Sequence, residues 1–300
     1  VHLNNSGAEA IEAAMKFARK FTGKTEMVAM NGSYHGKSMG ALSITFNPKY
    51  RKSFKPLIEK VSFSPFGDIE KLRETVNDQT SFVILEPIQG ESGIHVAPDG
   101  FLQDVRKLCD EKGILLIYDE IQAGLGRTGK MWAHEHWDTP PDILCLAKGI
   151  AGGVPMGATL VKPDILDCIS KGEHSSTFGG NPLSCAAGLA TMQALTQDKL
   201  VENSANMGRL FRQGLDKLKE KHPVIREVRG KGLMIGVELK FEVRDILMEG
   251  IEKGLLLLYS GRNILRLLPP LVITEADVTK SLEILDELFT NEEKRKNAQG

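Results

Sequence analysis

Leu115-Leu116-Ile117-Tyr118-Asp119-Glu120-Ile121-Gln122 carries a short apolar run straight into two carboxylates. Runs of the same kind stand at Glu26 to Met30, Phe82 to Leu85 and Ile143 to Leu146. Segments of helical spacing lie between several of them, including Ala8 to Phe21, which ends at Gly23, and Phe101 to Glu111. Short apolar strands bounded by turns and separated by helices predict an α/β fold with a mainly parallel sheet covered on both faces. In such a sheet ligand-binding residues collect in loops beyond the strand ends. Asp119 and Gln122 hold that position after one strand, and Lys148 holds it after another.

The pattern changes near Leu200. A long amphipathic helix is expected from Val201 to Lys221, then strand, turn and strand from Val224 to Lys240 around Gly230 and Gly232. A helix from Val243 to Lys253, strands at Leu255 to Tyr259 and Asn263 to Leu268, and a helix from a Thr274 cap through Phe289 complete a smaller α+β unit. The expected division is a large α/β domain over residues 1–200 and a small C-terminal α+β domain over residues 201–300. The polar tail Asn291 to Gly300 is expected to fray. Because Val1 stands one short step before a catalytic-looking loop, further sequence is expected to precede it.

Composition narrows the function. With 300 residues a large core can be buried. The formal net charge of −1 gives no basic surface for nucleic acid. No apolar run approaches the roughly 20 residues needed to cross a bilayer, and a chain without a signal peptide is expected. Cys109, Cys145, Cys168 and Cys185 form no CxxC pair and no metal-like spacing, and the histidines do not cluster with them. They read as reduced cysteines of a cytoplasmic protein with no metal site.

Four local signals carry chemistry. In Asn5-Ser6-Gly7-Ala8-Glu9, Ser6 and Glu9 have capping-box spacing, so a helix begins there. Its first free N–H groups and its dipole suit an anion such as phosphate, although such caps are also common in helices that bind nothing. Gly32-Ser33-Tyr34-His35-Gly36-Lys37-Ser38 follows a strand and resembles a P-loop. A P-loop needs glycine where Asn31 stands, however, and Gly32 leaves only three intervening residues, so the ATPase reading is the weaker one. Tyr34 could instead stack on a flat ring. Asp119 is either an ordinary acid at a sheet edge or the carboxylate that keeps a pyridine nitrogen protonated, with Gln122 near the ring's phenolic oxygen. Lys148, flanked by Cys145, Leu146, Ala147 and Ile150, reads as a lysine withdrawn from water, which favours a nucleophilic amine for Schiff-base chemistry. Ser175-Ser176-Thr177 offers a second phosphate contact.

Taken together, these stretches resemble the class III pyridoxal-phosphate (PLP) aminotransferases, which include ornithine, acetylornithine, 4-aminobutyrate and putrescine enzymes. The resemblance runs through Asn5 to Ala10, Tyr34-His35-Gly36, Glu86-Pro87-Ile88-Gln89-Gly90-Glu91, Asp119 to Gln122, Gly126-Arg127-Thr128-Gly129, Ala147-Lys148-Gly149, Ser176 to Pro182 and Arg266. It implies the type I PLP-dependent transferase fold. It implies that Lys148 bonds the cofactor and shuttles a proton, that Asp119 pairs with the ring nitrogen, and that Gln122 contacts the phenolic oxygen. Tyr34 would stack on the ring, and Gly7 and Ala8 would bind the phosphate. Thr177 would reach the phosphate of a neighbouring subunit, placing the site at a homodimer interface. Arg266 would hold the carboxylate of glutamate or 2-oxoglutarate, and Glu91 would pair with Arg266 when an amine without that carboxylate binds.

The implied reaction is transfer of an amino group between glutamate and a terminal semialdehyde. The substrate resembles acetylornithine or, with an amino-group carrier protein as partner, carrier-bound aminoadipate. Lys37 stands where acetylornithine and ornithine enzymes carry an arginine that contacts the substrate's far carboxylate. Putrescine-type members have lysine there, and Phe101 to Leu195 is putrescine-like, whereas Val228 to Ile273 is acetylornithine-like. A putrescine or 4-aminobutyrate enzyme is therefore the alternative, and a glutamate-semialdehyde aminomutase is a more distant relative.

Overall fold

The computed structural model describes residues 1–299; Gly300 lies outside the described residues. A seven-stranded sheet forms the centre of the first part of the chain. Its strands, in spatial order, are His2–Asn4, Gly157–Val161, Ile143–Leu146, Leu115–Asp119, Thr80–Leu85, Glu26–Met30 and Val61–Ser64. The last five pair in parallel. Gly157–Val161 runs antiparallel to its two neighbours.

Two-sided burial of these strands is visible in alternate side chains. Val83, Leu85, Leu116, Tyr118, Leu144 and Leu146 enter one apolar cluster, with the Phe101–Lys112 helix packed into it. Phe82, Ile84, Leu115, Ile117, Ile143 and Cys145 enter the other, against Ala10, Ile11, Ala14 and Phe17 of the Gly7–Thr22 helix. Each such large side chain contributes roughly 1.5–3 kcal/mol on leaving water. A register slip of one residue would exchange the two sets, so the register is firmly specified.

Strands Ile225–Lys231, Met234–Leu239, Ile264–Leu267 and Leu258–Ser260 form an antiparallel sheet of four. One face packs on the helices Leu200–Lys221, Arg244–Glu252 and Glu275–Gln299 through Phe211, Leu215, Ile246, Leu285 and Phe289. The final helix corrects the expectation of a frayed tail. Glu292 is buried and receives Arg295 at 2.8 Å and Lys296 at 3.4 Å one turn on. Asn291 Nδ2 donates to Glu249 Oε1 at 2.6 Å. These partners hold a polar segment helical that has little apolar pattern of its own.

Candidate active site

The carboxyl ends of four adjacent parallel strands open on one cleft of about 400 Å³, lined by Gly7, Ala8, Tyr34, His35, Lys37, Glu86, Glu91, Asp119, Gln122 and Lys148. Asp119 is the last residue of its strand, Glu86 follows Thr80–Leu85, and Lys148 lies two residues after Ile143–Leu146. The sequence-derived candidates therefore converge at the place an open α/β sheet reserves for ligands.

Asp119 is buried. Its Oδ1 accepts the Ile121 N–H at 3.0 Å, and its Oδ2 lies 2.7 Å from His35 Nδ1. Beside it, Glu86 Oε1 accepts the Tyr34 N–H at 2.9 Å and Oε2 accepts the Gly90 N–H at 3.0 Å. Burial, with the neighbouring Asp119 charge adding to it, pushes Glu86 up to about 7. Sequence reading assigns no role to His35 or Glu86. Glu86 carries the signal of a polar residue directly after an apolar strand, and both lie within stretches already marked. Glu120 turns away from the cleft: its carboxylate accepts the N–H groups of Ala133 at 2.6 Å and His134 at 2.8 Å.

At the other end of the cleft the Gly7–Thr22 helix begins. Ser6 Oγ accepts the Glu9 N–H at 3.3 Å, and Glu9 reaches back to the Asn5 N–H at 2.6 Å. Helix geometry leaves the N–H groups of Gly7 and Ala8 without an intrahelical acceptor. A Cβ on Gly7 would stand 2.9 Å from Ile121 Cδ1, so glycine is what lets this helix end meet the Asp119 loop.

Lys148 departs from expectation. Its neighbours Leu146, Ala147 and Ile150 are buried, but Lys148 itself is exposed at the cleft, so the chain alone does not withdraw it from water. The strand ends at Leu146 and the lysine leads a short 3-10 turn, Lys148–Ala151, which turns it out over the opening. Its φ is 46°, in the left-handed region.

Past Lys148 the cleft continues into a second space of about 540 Å³, shared by Glu91, Gln122, Arg127, Lys148 and Arg266 among apolar side chains such as Leu125 and Leu271. Arg266 is buried on the Ile264–Leu267 strand, opposite Gly236 and Leu258. It does not face solvent. Its Nη1 donates to Glu91 Oε1 at 2.8 Å and to Gly90 O at 3.3 Å. Burial tends to raise Glu91, but the Arg266 guanidinium outweighs it and holds the carboxyl below its usual range. Gln122 Oε1 is buried without a partner.

Two candidates stand apart. Thr177 is exposed and does not line the cleft of its own chain. Lys37 is at the cleft but exposed, its Nζ 4.6 Å from the centre of the Tyr50 ring. The P-loop alternative fails on the loop's own hydrogen bonds. The Ser33, Tyr34 and His35 N–H groups donate to Met30 O, Glu86 Oε1 and Thr45 Oγ1, so they do not converge on an anion.

The donor set suits PLP. An amine at Lys148, a buried carboxylate at Asp119, an orphaned Gln122 oxygen and a helix N-terminus at Gly7 surround one cleft. The class-III aminotransferase family model matches residues 1–289. The acetylornithine aminotransferase of Caldanaerobacter subterraneus subsp. tengcongensis is 44% identical over 297 residues, covering 97% of this chain and 75% of the relative. An ornithine aminotransferase from Toxoplasma gondii superposes with a TM-score of 0.95 at 34% identity, over 98% of this chain and 73% of that one. A PLP-bound amine transaminase from an uncultivated Pseudomonas species superposes at 0.91 with 32% identity, over 97% and 76%. The architecture is the type I PLP-dependent transferase fold. With that fold, this donor set and a family match over almost its whole length, the chain belongs to the class-III aminotransferases, enzymes that depend on pyridoxal 5'-phosphate.

Proposed function

We propose that the chain moves an amino group between glutamate (or 2-oxoglutarate) and the terminal amine (or semialdehyde) of an acetylornithine-like substrate, as the name of its acetylornithine aminotransferase relative suggests, and that it serves amino-acid biosynthesis. A carrier-bound aminoadipate-like substrate has the same reacting end and belongs to the same reading. The observation that carries the proposal is the 2.8 Å Arg266–Glu91 pair beside Lys148. Arg266 is released to meet a carboxylate bidentately, or stays covered by Glu91 when a terminal amine binds, so one site serves two differently charged partners.

PLP, when bound, supplies the ring that takes up the electron pair left when a substrate C–H bond breaks. The chain's own groups do the rest. Lys148 holds the cofactor through its amine and carries the proton to and from the substrate carbon. The Asp119 carboxylate keeps the ring nitrogen protonated. Gln122 contacts the phenolic oxygen, Tyr34 covers the ring, and the Gly7 and Ala8 N–H groups hold the phosphate. Thr177, exposed on its own chain, reaches the phosphate of a second copy in a homodimer. We place the division between the large and small domains near Leu200 and the enzyme in the cytoplasm. Lys37, in place of an arginine, favours one second reading, a substrate lacking the far carboxylate, such as putrescine or 4-aminobutyrate.

The test is to record the visible spectrum of the PLP-loaded protein and titrate in glutamate. Loss of the cofactor's visible band establishes the glutamate half-reaction. A band that ignores glutamate removes Arg266 and Glu91 from carboxylate exchange, and no band from folded protein rejects the site.

A further inference from the structure

Arg127 lines the second space with Lys148 and Arg266, yet it is not held by an acid. Among the described residues its acceptors are carbonyls: Nη1 donates to Pro269 O at 2.5 Å and to Leu233 O at 3.2 Å. The Leu233 N–H returns a bond to Arg127 O at 3.0 Å, and Ser204 Oγ donates to the same oxygen at 3.0 Å. The loop's seat is close. A Cβ on Gly232, where φ is 53°, would lie 2.3 Å from the Thr128 carbonyl carbon. Burial pulls Arg127 down to about 10 with no neighbouring charge to offset it, so the placement costs stability.

The two carbonyls identify what the side chain joins. Pro269 lies three residues after Arg266. Leu233 opens the Met234–Leu239 strand, whose Gly236 is registered with Arg266. On the other side, Arg127 belongs to the loop that also carries Gln122 and Leu125 to the cleft. Both bonds leave one nitrogen, Nη1, which the planar guanidinium holds in a fixed orientation that a flexible lysine ammonium lacks.

We infer that Arg127 is a positioning residue: by tying the Gln122–Gly129 loop to both paired strands just past Arg266, at Leu233 and Pro269, it sets where the Arg266 guanidinium stands relative to Lys148. This rests on the reading of Arg266 as the carboxylate-binding group.

The test uses PLP-loaded enzyme and glutarate, a dicarboxylate without an amino group, with its dissociation constant measured by calorimetry. Arg127→Met should weaken glutarate about tenfold and Arg127→Lys about threefold, as expected for coupled neighbours, while PLP affinity stays within about twofold of the parent. The variant Arg127→Met/Arg266→Ala should bind glutarate no more weakly than Arg266→Ala alone. Additive losses would mean that Arg127 touches the ligand itself and would overturn the inference. Unchanged glutarate binding in Arg127→Met, or a parallel loss of PLP affinity, would overturn it too. If Arg266→Ala binds glutarate as well as the parent does, the Arg266 reading falls and takes the inference with it. If Arg266→Ala weakens glutarate and Arg127→Met does not, only the inference falls. Should Arg127→Met not fold, Arg127→Lys carries the same comparison with Arg266→Ala.

Discussion

His35 Nδ1 lies 2.7 Å from Asp119 Oδ2, with side-chain exposures of 0% and 4%. No other side chain is hydrogen-bonded to Asp119 among the described residues. A hydrogen bond to a charged group contributes about 1.5–3 kcal/mol. His35→Ala is therefore expected to lower kcat/KM by roughly 10- to 100-fold, with His35→Asn retaining part of the rate. Steady-state kinetics at saturating PLP decide it; a His35→Ala enzyme matching the parent would remove His35 from the site.

Lys148→Ala should fold, bind PLP weakly and lose the visible band of the lysine-bound cofactor. Losing proton transfer alone should cost about 10²–10⁴-fold in turnover. A variant that kept the band would place the bond to the cofactor on another amine.

Arg266 and Glu91 should separate the two substrates. Arg266 is buried while Glu91 is about one-third exposed, so removing the arginine costs toward the lower end of the roughly 2–5 kcal/mol of a buried charged pair, about 2–3 kcal/mol. Arg266→Ala should accordingly raise the KM for glutamate by about a hundredfold, with a much smaller effect on a diamine. Glu91→Gln should do the reverse, impairing the amine and sparing glutamate. Equal losses for both substrates in either variant would refute the exchange.

Glu86 gives a prediction about pH. In cofactor-free folded protein it holds its proton up to about 7, against an ordinary value of 4.5. Its contribution to stability is thus complete below about 4.5 and lost as pH rises to about 7, by roughly 3 kcal/mol in all. Glu86→Gln cannot show that slope. Its own stability is lower by a fixed penalty and does not vary with this group's titration, because both oxygens of Glu86 accept N–H groups and an amide nitrogen cannot. Urea midpoints from pH 4.5 to 8 for parent and variant should converge as pH rises; parallel curves would contradict the assignment.

Four of the five parallel strands were legible because two-sided burial leaves continuous apolar runs, and Ile143–Leu146 and Glu26–Met30 fall where the pattern puts them, whereas the half-exposed edge strand Val61–Ser64 was not read. The strand expected at Leu255 to Tyr259 stands at Leu258–Ser260, and His2–Asn4 and Gly157–Val161 went unread. The three-residue strands are too short for a period to declare itself. The site was legible where chemistry demands an unusual residue at a strand end, as at Asp119 and Lys148. His35 and Glu86 were not assigned, because their partners lie 84 and 52 residues away in sequence. The exposure of Lys148 escaped the sequence for a related reason: apolar neighbours in sequence pack beneath it rather than over it.

The left-handed backbone at Lys148 bears on how this enzyme responds to selection. A residue with a Cβ held there costs about 1–3 kcal/mol, and glycine would relieve it while returning only about 0.4–1 kcal/mol to the unfolded chain's entropy. Lys148→Gly should therefore melt above Lys148→Ala, and at or above the parent, with no activity at all. A library sorted for heat resistance alone would drift toward losing its own nucleophile, so any thermostabilisation of this enzyme has to be selected together with turnover.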